Sequence, residues 1–372
     1  MSGRGTIVIY KTAPQATVIP IEIKGIGNPD AICDALAERI SANYCRYCFE
    51  NFGVIVPYTI DGLTMDEGVS KVAFGKGEMV RPIRLYVRGT FIAQFMNRKI
   101  PYMDIAKKTI YDYLDSILPQ LKAREWVRII DGTQSYGGPK RTLAINKLVA
   151  NHMYVVTAHY PPTPEEANAQ RIEDMLNSPA YKKSHPYIGP DNKIIYIQNG
   201  NSADIEAYVS MISAQVPTAE ALKAYSETVQ SDIKDCATKD RVVVRDISLY
   251  SSDDALNDPR VLTVTGSSVE NSNGGAIGRS RYQVYHAARV YSKMAYRISE
   301  RIFKEEKVSS SVTLISRIGW PMTTPWRSFI ELHGEHGDVG VNSELWNRIE
   351  DITDAEFGKV EDIVKELMYG IT

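Results

Sequence analysis

Apolar residues recur at Ile32, Leu36 and Ile40 directly behind the loop Gly25-Ile26-Gly27-Asn28-Pro29-Asp30, and this spacing predicts a helix over 29–51 with Gly53 as its stop. Short apolar or β-branched runs predict strands over 6–10, 18–23, 54–60, 83–87, 126–130, 152–160, 194–197, 242–247, 261–265, 312–315 and 328–332. The second of these is broken by Pro20. Further helices are predicted over 103–118, where Ile105, Ile110, Tyr113, Leu114 and Ile117 form a stripe, and after the cap Thr163. Others are expected over 203–214, 218–237, 282–305, 344–349 and 355–368. Asp61 and Gly62 read as a loop, FGKGEM over 74–79 as a second glycine loop, and 131–141 and 266–281 as long polar connections. Strands and helices alternate in three groups, each with a glycine loop, although no sequence repeat accompanies the rhythm. The layer logic predicts an α/β (α+β) protein whose mixed sheets carry helices on one face.

Composition narrows the class. At 372 residues, with 44% hydrophobic and 24% charged residues, the chain can bury a sizeable core as two or three subdomains. A net charge of -2 gives no reason to expect a nucleic-acid or membrane partner. No apolar run approaches a membrane span, and MSGRGTIVIYK lacks the apolar core of a signal peptide, so a cytoplasmic location is expected. Four cysteines fit a reduced compartment. Cys45 and Cys48 form a C-x-x-C inside the first long helix, and without a second pair they read as packing residues.

The loop before that helix holds the clearest chemistry. Asn28 is suited to cap the helix, Pro29 fits its first position and Asp30 complements its dipole. These features describe a well-made helix start. They also describe a place where free N–H groups and a carboxylate meet, suited to phosphate or metal-bound phosphate. Lys140 and Arg141, in the connection over 131–141, are candidate anion ligands, with a solvated turn as the alternative.

KGIGNPDAICDALAE resembles the signature K-G-I-G-H-P-D-S-I-A-D-G-I-A-E of the archaeal-type S-adenosylmethionine synthetases, and the likeness continues through FGKGEMVRPI, LTVTGSSVENSNGGAIGRS and SRIGWPMTTP. The resemblance implies one unit of three similar intertwined subdomains, with boundaries near 130 and 250 within 1–372. It further implies a homodimer or higher homo-oligomer, with ATP and a small molecule as substrates and magnesium and a monovalent cation (K+) as helpers. In that family methionine sulfur attacks C5′ of ATP and tripolyphosphate leaves, which calls for positive charge around the departing chain. By the same resemblance Asp30, Glu22 and Glu78 are the metal and cation ligands, and Gly27, Asp61 and Arg279 face nucleotide or phosphate.

The departures from the pattern are equally specific. Asn28 stands where the signature has histidine, and an amide donates a hydrogen bond without carrying charge. Gly62 replaces the glutamine of N-T-D-Q, and His152 the aspartate of A-N-D-T-S. Asn273 and Gly274 replace the paired aspartates of G-D-D-G, and the segment ending A-G-K-N-P is missing after Arg281. His152 is then a candidate general base, with Lys76, Lys140 or Arg281 as candidate replacements for the lost cation. Three readings stay open: an ATP- and magnesium-dependent transferase with an altered acceptor or altered polyphosphate handling, a catalytically inactive binding or regulatory homologue, and ordinary S-adenosylmethionine synthesis.

Overall fold

The computed structural model describes residues 6–12, 20–66, 68–135, 148–150, 153–199, 202–237, 242–245, 262–263, 284–334 and 343–370, with backbone only at 12, 61, 199, 202, 242–245 and 262–263. The chain begins with β1 (Thr6–Thr12), β2 (Pro20–Lys24), α1 (Pro29–Phe52), β3 (Tyr58–Asp66), β4 (Val69–Ala73), β5 (Lys76–Arg81) and β6 (Ile83–Phe91). It continues through β7 (Gln94–Phe95), β8 (Arg98–Lys99), α2 (Tyr102–Ile117), α3 (Ala123–Trp126), β9 (Val127–Ser135), β10 (Val155–Tyr160), α4 (Pro164–Asn177) and α5 (Pro179–Ser184). Then come β11 (Ile188–Asn199), β12 (Ser202–Met211), α6 (Ala219–Cys236), β13 (Val242–Arg245), β14 (Leu262–Thr263) and α7 (Ala287–Glu306). The described chain ends with β15 (Ser309–Ile315), β16 (Arg327–His333), α8 (Glu344–Phe357) and α9 (Val360–Tyr369).

Three four-stranded sheets run in the orders β1-β16-β15-β10, β13-β12-β11-β2 and β14-β3-β6-β9. Each draws strands from distant parts of the chain. β1 lies parallel to β16, and β2 lies antiparallel to β11. Helices cover the sheets: α7 packs on β10 and β15, α4 on β2 and β11, and α1 on β3. This is the expected mixed α/β architecture of sheets covered by helices. Among the described residues no helix is long and apolar enough to cross a membrane.

Local chemistry accounts for the element ends. Asn28 caps α1 by accepting from Asp30 N, and Gly53 ends the helix at φ 70°, a left-handed conformation that costs glycine little. Thr163 and Glu166 form a reciprocal capping box on α4.

Four expectations need correction, the first being the connection over 131–141, whose residues Asp131–Ser135 continue β9 in parallel pairing with Val87–Phe91. Residues 203–211 lie in a strand, because Ala203, Ile205, Ala207, Val209 and Met211 are all buried with a period of two. Alanine and glutamate favour helix locally, but burying that face of β12 outweighs them. FGKGEM is mostly strand, since only Phe74 and Gly75 turn and Lys76–Arg81 pairs with Val69–Ala73 as a hairpin. Asp61 and Gly62 continue β3 through a bulge, where pairing with β6 shifts between Ile60 and Gly62. Beside that bulge, a Cβ on Gly89 would lie 2.2 Å from Thr59 O, so only glycine fits there.

Two apolar cores result. The larger joins α1, α2, α7, α8 and α9 to β3, β6, β15 and β16, and the smaller joins α4 and α6 to β2, β11 and β12. The chain passes from the smaller core to the larger between β2 and α1. Cys45 and Cys48 are buried free thiols within the larger core. Burial pushes the Cys45 thiol up to about 12 and the Cys48 thiol up to about 11, so both stay protonated and pack as small apolar groups.

A polar knot sits inside this core. Tyr58 OH accepts from Val284 N at 3.2 Å and Cys45 Sγ at 3.1 Å, and lies 2.5 Å from Ser41 Oγ. Arg289 donates to Ser41 Oγ and pairs with Glu38. Tyr58→Phe strands the Val284 N–H in the core and is expected to cost about 1–3 kcal/mol. Urea unfolding at neutral pH, with an unchanged m-value, checks this loss.

Candidate functional site

Strand β2 delivers Glu22 and Lys24 to the same face of its sheet, and the glycine loop follows at once. Gly25 N donates to Asn192 O at 2.6 Å, Gly27 N to Pro190 O at 3.0 Å, and Asn28 N back to Gly25 O at 3.0 Å. The partner segment is an irregularity in β11, where the register shifts between Ile188 and Asn192. A Cβ on Gly27 would lie 2.6 Å from Pro190 C and 2.7 Å from Asp191 N, so the loop and the bulge touch backbone to backbone. Asn28 Oδ1 takes the Asp30 N–H at 3.1 Å.

That geometry corrects the expectation of a cradle of free N–H groups. The amides of Gly25, Gly27, Asn28 and Asp30 already have protein partners. The charged side chains around the loop add to whatever its remaining amides can offer an anion.

Those side chains form a compact charged cluster. Lys24 Nζ lies 2.5 Å from Asp30 Oδ2 and 3.9 Å from Glu22, and Lys193 Nζ lies 3.0 Å from Glu22. Burial opposes the charge on Lys24, but its bond to Asp30 and the nearby Asp30, Glu22 and Asp34 outweigh this and hold it above the usual lysine range. Asn28 Nδ2 donates to Asp191 Oδ1 at 3.2 Å. Burial pushes the Asp191 carboxyl up to about 7, with Asp30 adding to the rise and Asn28 and Lys193 opposing it. One carboxylic acid near neutrality therefore sits against the amide of Asn28.

Glu22, Gly27, Asn28 and Asp30 are thus brought together. Lys76 and Glu78 lie on the exposed β4–β5 hairpin, where Glu78 faces Lys71 across the strands and Gly75 N reaches Ser213 O and Val216 O. Among the described residues no hydrogen bond or ion pair links Lys76 or Glu78 to the glycine loop. Asp61 is described in its backbone alone, within β3. His152, Arg279 and Arg281 lie outside the described residues, as do Lys140, Arg141, Asn273 and Gly274.

Lys24, Asp191 and Lys193 were not among the sequence candidates. Lys24 sits inside the resemblance signature, and Asp191 and Lys193 share the alternation of β11, but only pairing β11 with β2 places them at the loop. Among the described residues no group of three or more histidine, cysteine, aspartate or glutamate side chains is placed to hold a metal ion. The donors instead fit a magnesium ion that arrives on phosphate oxygens and takes one or two carboxylates, Asp30 foremost.

The model of the S-adenosylmethionine synthetase (AdoMet synthetase) family matches residues 8–283. The chain belongs to the S-adenosylmethionine synthetase family. It is 28% identical over 380 residues to an S-adenosylmethionine synthase of Haloarcula marismortui, covering 94% of this chain and 93% of that one. The corresponding protein of Pyrococcus furiosus is 26% identical over 341 residues, covering 84% of each chain. That of Pyrobaculum aerophilum is 27% identical over 384 residues, covering 94% of each. The charged cluster at the glycine loop lies within the matched span.

The raised Asp191 carboxyl has a stability consequence. The folded state holds this proton more tightly than the unfolded chain, so the associated stability is present below about pH 4 and lost as pH rises toward 7. Asp191→Asn is therefore expected to be more stable than the wild type at pH 8 by roughly 2–4 kcal/mol, with the difference narrowing toward pH 4. Denaturant unfolding at pH 4, 6 and 8 measures it, and a difference independent of pH contradicts the assignment.

Proposed function

We propose that this chain is an ATP- and magnesium-dependent transferase that passes the adenosyl group to a nucleophile, with an acceptor or a polyphosphate handling altered from the family reaction. An acceptor lone pair forms a bond to C5′ of ATP, the C5′–O bond breaks, and triphosphate leaves with that electron pair. Lys24 and Lys193 are the residues to face the phosphate chain, and Asp30 the one to hold the magnesium, which would supply charge neutralisation on the phosphate oxygens. Support comes from family membership, from the relatives' name of S-adenosylmethionine synthase, and from the charged cluster around the loop.

The hydrogen bonding of Asn28 carries the altered part of this reading. Its Oδ1 is spent on Asp30 N and one N–H on Asp191, which leaves a single neutral N–H for a ligand. The resemblance puts histidine here, so charge stabilisation of the leaving group falls to the two lysines. A second reading, nucleotide binding without turnover, is favoured by the pairing of both lysines with carboxylates.

Incubating the protein with ATP, magnesium and a panel of amino acids and other nucleophiles, methionine included, separates the two by mass spectrometry. An adenosylated product with released triphosphate or diphosphate is expected; ATP binding with no product in the whole panel establishes the second reading instead. Asn28→His is expected to raise S-adenosylmethionine formation from methionine by about 10²–10³-fold. The same change loses the α1 cap and is expected to lower stability by about 1 kcal/mol, read by urea unfolding.

A further inference from the structure

The turn between β15 and β16 carries two arginines and two tryptophans as a ladder. The Arg317 guanidinium carbon lies 5.4 Å from the centre of the Trp320 ring and 5.6 Å from that of Trp326, and the Arg327 guanidinium carbon lies 5.3 Å from the Trp326 ring centre. All three distances fall within the roughly 6 Å at which an aromatic face attracts a cation. Arg317 and Ile318 are exposed, the latter at 59%, and Trp320, Trp326 and Arg327 are half-buried. The scaffold beneath them is pinned. Trp320 N donates to Arg317 O at 3.0 Å and Trp326 N to Ile315 O at 2.9 Å within the turn. Ala150 N donates to Trp320 O at 2.8 Å, Gly319 N to Ala150 O at 3.0 Å and Met322 N to Leu148 O at 2.6 Å, while the Met322 side chain sits in the larger core. The rungs are therefore in place before any partner arrives.

Neither cation has an acidic partner among the described residues. Arg317 makes no hydrogen bond or ion pair there, and Arg327 spends one N–H on Thr6 Oγ1. Glu331, the acidic residue on the same face of β16, lies roughly 13 Å further along by strand rise and takes the Tyr10 OH. Two like charges against one indole repel, so the arrangement favours an anion. Trp326 already receives both guanidiniums and Trp320 one, which leaves the N–H edges of the arginines as the groups on offer. Those edges match carboxylate oxygens two at a time. A nucleic-acid strand suits the turn less, because its bases need open aromatic faces and the chain carries a net charge of -2. Arginine and tryptophan are also the side chains that dominate the energetics of protein interfaces.

We propose that the β15–β16 turn is a docking surface for an acidic segment of another protein, with Arg317 and Arg327 each taking a carboxylate and the exposed Ile318 packing beside them. Charge complementarity selects this occupant: two cations without acidic neighbours, on a pinned turn, draw their counter-charges from outside. Trp320 and Trp326 hold the guanidiniums flat, so less side-chain freedom is lost when a carboxylate binds. Docking here is independent of the reaction at the glycine loop.

Decaglutamate is the probe, since it offers carboxylates in series, and the full chain is titrated with it in low-salt buffer by calorimetry and by tryptophan fluorescence. Binding is expected with a Kd below about 1 mM, weakening about tenfold or more at about 0.5 M salt. Joint replacement by Arg317→Ala and Arg327→Ala is expected to weaken it about tenfold or more. Arg317→Ala alone changes an exposed position and serves if the double variant does not fold; it is expected to act in the same direction by a smaller factor. Arg317→Lys keeps the charge but loses the planar fork, and is expected to weaken binding about threefold. No binding to the wild type overturns the proposal, as does wild-type affinity in the folded alanine variants. Oligothymidylate of equal charge, bound more tightly through the same arginines, assigns the turn to nucleic acid. Self-association that the substitutions abolish, read by sedimentation, assigns it to a second copy of this chain. Either of these results overturns a foreign acidic partner.

Discussion

Two backbones meet at Gly27 with no room for a side chain between them, and the rest of the candidate site follows from that contact. The bulge of β11 brings Pro190 and Asp191 outward, the loop lies against it, and Gly25 and Gly27 spend their amides on it. Because the chain passes here from the smaller core into α1 and the larger core, the loop joins two packed bodies. Asn28 is then held twice, by Asp30 N on one side and Asp191 on the other. A helix cap and a strand-bound carboxylic acid share a single amide.

The charges around it are balanced rather than basic. Lys24 and Lys193 each lie against a carboxylate, and Asp191 is part-buried beside Asn28 with its proton held to near neutrality. On the proposed reading, an incoming polyphosphate would meet lysines that exchange carboxylate partners for phosphate, and a magnesium ion on that phosphate would supply the charge that Asp30 needs once Lys24 turns away. On α4 and α5, Asn177 likewise donates to Glu173 and accepts from Lys182.

Much of the site was legible from a few residues. Asn28, Pro29 and Asp30 announced a helix start by their hydrogen-bonding and φ preferences, and Ile32, Leu36 and Ile40 announced its buried face; each depends on neighbours no more than four residues away. Other segments misled because their local preference and their packing disagree. Ala203 to Met211 has the alanine and glutamate of a helix, yet its alternate residues are buried in a sheet. Phe74 to Met79 carries two glycines and still forms a hairpin, because Lys76–Arg81 finds a partner in Val69–Ala73.

By itself the sequence determined the capped helix, its apolar stripe, the mixed α/β character and the family signature, all set by short-range spacing. The tertiary structure alone decided that the amides of Gly25, Gly27, Asn28 and Asp30 are occupied and that Asp191 and Lys193 reach Asn28 and Glu22. The reason is distance along the chain. Asn28 and Asp191 are 163 residues apart, and only the antiparallel pairing of β2 with β11, together with a bulge, brings them within a hydrogen bond. Whether an amide in a glycine loop is free or spent depends on what packs against it, which no local pattern records.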